Sequence, residues 1–178
     1  MNMERRKYPI GTFTAPLQPN KSGRAEFINR LRQAPSLLKE AVAGLSETQL
    51  DTPYRDGGWT VRQVVHHIAD SHLNGYLRCK LALTEKAPLI RTFDEQQWAE
   101  LSDARTLHPN LSIALLDALH HRWAALFESL TDADFENAYL HPDSNEKISL
   151  DHALALYVWH SKHHIAHITS LRDRMGWR

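Results

Sequence analysis

Apolar side chains recur every three to four residues along four long stretches of this chain, and nowhere do they alternate over enough positions to build a sheet. That pattern restricts the chain to an all-α fold. The first stretch predicts a helix from about Ser22 to Gly44, with Phe27, Ile28, Leu31, Leu38, Val42 and Leu45 on its apolar side; Pro35 inside it should kink the helix or split it in two. Ser46 and Gln49 read as a capping box opening one short turn, and Pro53 with Gly57 and Gly58 makes a loop. Thr60 and Gln63 form a second capping box ahead of Val61, Val64, Val65 and Ile68, starting a helix that lasts to about Leu83. Asp94 to Leu101 is expected as a short helix in a long polar connection that reaches His108 and Pro109.

A third long helix is expected from about Leu111 to Leu130, with Ile113, Leu116, Leu119, Trp123, Leu126 and Phe127 spaced for burial. Residues 131–142 read as loop. Ser149 then caps a fourth helix, which carries Leu150, Leu154, Tyr157, Ile168, Leu171 and Met175 before stopping at Gly176. Four amphipathic helices bury their stripes most simply as a four-helix bundle, one domain over residues 1–178, and bundle cores commonly host metals between facing helices. The longer connections, 46–59 and 84–110, leave helix order open.

A chain of 178 residues buries a sizeable core without disulfides or a structural metal, so a bound metal would serve function rather than folding. With 21 basic against 21 acidic residues there is no net field to attract nucleic acid or anionic lipid, and neither is expected as a partner. The start of the chain, Met1 to Lys7, leads into Tyr8 and Pro9 rather than the apolar core of a signal peptide, and no apolar run approaches the roughly 18 residues of a membrane span. A cytoplasmic location is expected, and the lone Cys79 suits a reducing compartment.

The chain carries 12 His, and their spacing is informative. His160 and His164 stand four apart, which stacks them one turn apart on one helical face. Projected at about 100° per residue, His164 falls within the apolar stripe of its helix, His160 on the shoulder, His167 further round, and His163 on the opposite side. A solvated His-rich surface helix is the bland alternative, but a buried imidazole at the place of a Leu needs partners for both nitrogens. A third ligand is most plausible in the segment Val64–His72. There the same projection favours His72, with His67 towards the stripe's edge. His120, His121 and His152 are assigned to solvated faces, and Cys79 to packing.

Four strings, Tyr8–Gly11, Leu50–His72, Tyr157–Ile168 and Arg174–Trp177, closely resemble the YfiT family of metal-dependent hydrolases within the DinB-like four-helix-bundle group. The resemblance covers nearly the whole chain. It implies a three-histidine metal site whose ligands map onto His67, His160 and His164, agreeing with the helical projection on two residues and replacing His72 by His67.

Three neutral imidazoles leave a metal with a position for water or substrate, as catalytic sites do. One divalent ion per chain is expected, zinc first, with nickel, iron or manganese as alternatives. Such an ion lowers the pKa of a bound water and polarises a carbonyl or phosphoryl oxygen, so hydrolysis of a small substrate needs no protein nucleophile. The segment His160–His164 lacks the Glu of the zinc-protease helix motif, so a general base must come from elsewhere. Asp70 is a candidate second partner for a ligand imidazole, or a solvated surface Asp; the loop Tyr54–Trp59 shapes the pocket mouth or merely turns the chain. Two other functions compete: a thiol transferase using a bacillithiol- or glutathione-like cosubstrate, which related DinB-like enzymes suggest, and a non-catalytic metal-binding stress module. A homodimer is expected, paired through an apolar face of the third helix around Trp123 and Phe127.

Overall fold

The computed structural model describes residues 3–15, 21–143 and 145–177; Met1 and Asn2, part of the start read above, lie outside them. The chain runs through α1 (Met3–Lys7), α2 (Lys21–Val42), α3 (Glu47–Leu50), α4 (Val61–Thr84), α5 (Glu95–Ala99), α6 (Ser102–Thr106) and α7 (Asn110–Glu128). A hairpin of β1 (Ala138–His141) and β2 (Glu146–Ser149) then leads into α8 (Leu150–Met175). The helix ends follow local chemistry. Thr60 Oγ1 accepts from the Gln63 N–H at 3.2 Å and Gln63 Oε1 from the Thr60 N–H at 3.0 Å, which opens α4 on a complete capping box. Ser149 Oγ caps α8 through the His152 N–H at 3.2 Å, and Gly176, at φ +69°, closes it in the left-handed conformation that glycine adopts without penalty.

Pro35 does not split α2, which continues through it as one helix. Proline lacks the N–H that would bond the carbonyl four residues earlier. That carbonyl belongs to Leu31, and His120 on α7 supplies the hydrogen bond instead, Nδ1 to O at 2.6 Å. Of the kink or split expected from sequence, the split is absent, and the carbonyl that proline leaves open takes a tertiary donor.

In the bundle, α2 packs on α7 and α8, and α4 packs on the same two helices. This places α2 across the diagonal from α4, and α7 across from α8, so two of the three connections between long helices cross the bundle ends rather than join neighbours. The second of those crossings holds the β1–β2 hairpin, antiparallel with Ala138 opposite Ser149. It corrects the reading of 131–142 as loop: strands of four residues are too short to show an alternating pattern. Tyr139 is buried from this hairpin, and Leu140 is tied to the α4–α5 connection by Leu140 N–H to Pro88 O at 2.8 Å and Ile90 N–H to Leu140 O at 3.1 Å.

The core consists of two apolar clusters. One gathers Leu31, Tyr76, Trp123, Phe127, Phe135, Tyr139, Leu154 and Tyr157 and is rich in aromatic rings. The other gathers Leu38, Val61, Val64, Ile68, Leu116, Ile168 and Leu171. Every long helix contributes to both, and His72 of α4 with His160, His163, His164 and His167 of α8 lie between the two sets in sequence. Gly75 sets the approach of α4 to α8 there, because a Cβ at that position would stand 2.2 Å from the Tyr157 ring. Trp123 and Phe127 are 0% and 1% exposed, so they cannot form the dimer face expected of the third helix. Their apolar periodicity marks the core side of α7; Leu111 and Leu115 are the large apolar residues it exposes.

Candidate metal centre

His67 from α4 meets His160 and His164 from α8, and one ring nitrogen from each lies within 4.8 Å of the others. His67 Nε2 and His160 Nε2 stand 3.3 Å apart. Tetrahedral coordination with bonds of about 2.0–2.1 Å separates neighbouring nitrogens by about 3.3 Å, so this pair already spans one edge of such a site. His164 stands edge-on to both partners, at centroid distances of 4.4 Å to His160 and 4.8 Å to His67. The donor set is purely imidazole, which suits zinc, nickel, iron and related divalent ions.

Electrostatics favour the same reading. Burial, reinforced by neighbouring imidazoles, pushes His67 down to about 4 and holds His160 and His164 well below the ordinary histidine range. All three rings are therefore neutral at pH 7, the state in which a nitrogen lone pair can bind metal. Trp59 lies against the centre, its ring 4.4 Å from His67 and its indole N–H bonded to Gln96 Oε1 at 3.2 Å. The loop ahead of α4 thus does more than turn the chain. Glu95, on α5, brings Oε2 to 3.9 Å from His67 Nε2. Its carboxyl is raised by burial and by the nearby charge of Asp94.

Other histidines sort sharply. His66, beside His67, has both nitrogens engaged, Nδ1 with Ser112 Oγ at 2.7 Å and Nε2 with Leu107 O at 3.0 Å, so it ties α4 to α7 and its approach. His72, which periodicity favoured, is fully buried behind the centre, with Nε2 at 3.1 Å from His160 Nδ1. His120 corrects the solvated assignment: it is 1% exposed, with Nε2 at 2.9 Å from His72 Nδ1. The Leu31 carbonyl beneath Pro35 offers the partner that makes this burial tolerable. His121 is exposed as expected, whereas His152 is half-buried against Phe13.

His163 and His167 correct the projection as well, since both are buried. The far side of α8 is not solvent; it is covered by the chain's first residues and the loop before α4. His167 Nε2 donates to Lys7 O at 3.0 Å and its ring stacks on Tyr54 at 4.0 Å, while His163 stacks on Trp159 at 4.5 Å. With His164 they form a second group of convergent nitrogens, also within 4.8 Å. The Nδ1 atoms of His163, His164 and His167 have no hydrogen-bond partner among the described residues. Asp70 does not reach a ligand imidazole: burial and the neighbouring Asp103 charge raise its carboxyl to about 6, and among the described residues it makes no bond to His67. Sequence reasoning missed Glu95, although Asp94 caps its short helix; nothing in a linear pattern says which bundle helix that turn will face.

Fold and centre together define a helical bundle that presents a three-histidine cluster fit for a divalent metal. The model of the DinB superfamily matches residues 30–168. A relative from Bacillus licheniformis, provisionally named a metal-dependent hydrolase, is 66% identical over 175 residues, covering 98% of this chain and 99% of its own length. YfiT of Bacillus subtilis, named in the same way, is 55% identical over 170 residues, 96% of each chain. The solved structure of YfiT matches with a TM-score of 0.96 at 54% identity, covering 98% of this chain and 99% of that one, and is described as "a probable metal-dependent hydrolase with an unusual four-helix bundle topology". The chain belongs to the DinB superfamily and, within it, to the YfiT group. No helix among the described residues is long and apolar enough to cross a membrane.

Proposed function

We propose that this protein is a metal-dependent hydrolase of a small-molecule substrate, with His67, His160 and His164 holding one divalent ion, zinc in the first instance. The observation that carries this reading is the 3.3 Å separation of His67 Nε2 and His160 Nε2 within a buried, neutral imidazole cluster. The names of the relatives support it. When bound, the metal lowers the pKa of a coordinated water and polarises a carbonyl or phosphoryl oxygen. The chain's own part is to position and to move protons. Trp59 covers one side of His67 and limits water there. Glu95, with its carboxyl raised and its oxygen 3.9 Å from His67 Nε2, takes the proton from the attacking water and returns it to the leaving group. The lone Cys79 is fully buried in the aromatic cluster and its thiol is pushed up to about 12, so it supplies no nucleophile.

The test is a screen of esters, amides and phosphate esters on protein purified without an affinity tag, with and without chelator, alongside metal analysis. Turnover abolished by chelator and restored by zinc or nickel is expected. Glu95→Gln should keep its metal and lose about 10²–10⁴-fold in turnover. Hydrolysis indifferent to chelator, or none on any substrate class, overturns the reading; metal-dependent consumption of an added low-molecular-weight thiol with a model electrophile would replace hydrolysis by thiol transfer.

A further inference from the structure

Behind the candidate ligands, four groups form one unbroken buried chain: Leu31 O to His120 Nδ1 at 2.6 Å, His120 Nε2 to His72 Nδ1 at 2.9 Å, and His72 Nε2 to His160 Nδ1 at 3.1 Å. We propose that His120 and His72 are positioning residues that set the tautomer of His160: anchored on the Leu31 carbonyl left open by Pro35, they hold the His160 proton on Nδ1 and turn its Nε2 lone pair toward the metal site. The inference rests on the reading of His160 as a ligand for its purpose, but not for its geometry.

The argument is one of hydrogen-bond polarity. A carbonyl oxygen can only accept, so the ring atom facing Leu31 O must carry the hydrogen. A neutral imidazole has one N–H, and His120 and His72, 1% and 0% exposed, are held neutral by burial. With Nδ1 of His120 donating, its Nε2 is left as acceptor. The contact at 2.9 Å then requires Nδ1–H on His72, and the contact at 3.1 Å requires Nδ1–H on His160. Reversing any one ring would set two lone pairs or two hydrogens face to face within hydrogen-bond distance, at the cost of an unmet polar contact in the core. Three tautomers therefore follow from one backbone oxygen. Leu31 O is available because residue 35 is the proline, which has no N–H to offer it.

A ligand histidine is normally backed by an acceptor for its second N–H. Here that acceptor is another imidazole, itself backed by a third. The ring contacts pack the same groups firmly: His72 stacks on His120 at 4.9 Å and meets Tyr157 edge-on at 5.1 Å. Packing alone, however, would hold the rings without choosing a tautomer.

Long-range proton–nitrogen correlation spectra of metal-free, ¹⁵N-histidine-labelled protein read the tautomers directly. Nδ1–H is expected at His120, His72 and His160; an Nε2–H form at any of them overturns the proposal, whether or not the protein binds metal. Zinc titration supplies the second arm. His120→Phe should lower zinc affinity about 10–100-fold, whereas His120→Gln, whose amide can donate to Leu31 O and whose Oε1 can accept from His72, should stay within about threefold of the parent. Equal losses in the two variants, or none in His120→Phe, would count against the relay. Should His120→Phe fail to fold, the spectra of the parent and of His120→Gln still decide. A parent that binds no zinc sinks the proposed function and leaves the spectra to judge the relay.

Discussion

The two histidine groups on α8 share His164 and the same four-residue spacing, yet they are built differently. His160 and His164 face a third imidazole from α4, and His160 is braced from behind by His72 and His120. His163 and His167 sit on the same helix and meet Trp159, Tyr8 and Tyr54, with one hydrogen bond among the described residues, from His167 to Lys7 O. Equal spacing thus yields unequal sites. A metal centre draws its ligands from separate elements and braces their second nitrogens; the first group spans α4 and α8 and has His160 braced by His72, whereas the second lies on α8 alone. The second is a set of stacked rings on one helix, its Nδ1 atoms without a hydrogen-bond partner among the described residues.

The contrast breaks or holds first on metal affinity. Removing His67 or His164 should cost more than about a hundredfold in zinc affinity, beyond the loss typical of an outer partner, while His163→Ala and His167→Ala stay within about tenfold. Equilibrium competition against a chromogenic chelator measures all four. The reverse order would move the metal to the single-helix group.

Acid should separate the groups next. In the unfolded chain the imidazoles take up protons near 6.5, but burial holds His67, His120, His163 and His167 at about 4 in the folded protein. Between those values the unfolded state binds more protons, so stability is full above about 6.5 and falls as pH drops toward 4, where the slope flattens. A single fully buried group moved this far contributes about 2 kcal/mol between pH 7 and 5. Metal-free protein followed by denaturant unfolding should show that decline. Zinc-loaded protein should start higher and fall more steeply, because protons displace metal from the first group. Parallel curves with and without zinc would contradict the assignment.

Helix starts and stops were readable because capping is local: Ser46, Thr60 and Ser149 each sit beside the N–H groups they satisfy. Helix order was not, since it depends on which helix crosses which bundle end. The His160–His164 pair was readable as a shared face, while the choice of His67 over His72 came from family resemblance. Projection ranked His72 as the deeper residue, and it is; depth and ligation are different properties, because the deepest ring ended up bonded to other rings. His120, His163 and His167 were misjudged for a common reason. What covers a helix face from another part of the chain leaves no trace in the periodicity of that helix. Pro35 shows the same dependence, since its meaning lies in a histidine 85 positions later.

The smallest effect sharpens the comparison most finely. His163 buries an Nδ1 with no hydrogen-bond partner among the described residues, while its ring stacks on Trp159 at an interplanar angle of 18°. Phenylalanine keeps a flat ring of similar size and removes the buried polar atom. If His163 is a packing plate, His163→Phe should leave zinc affinity unchanged and alter unfolding free energy at pH 7 by no more than about 1 kcal/mol, with the sign toward stabilisation. At pH 5 the gain should widen, because the parent alone then bears the cost of keeping that imidazole unprotonated. Destabilisation that grows on acidification would mean that the His163 imidazole gains from holding a proton in the folded protein, and that the second group is more than packing.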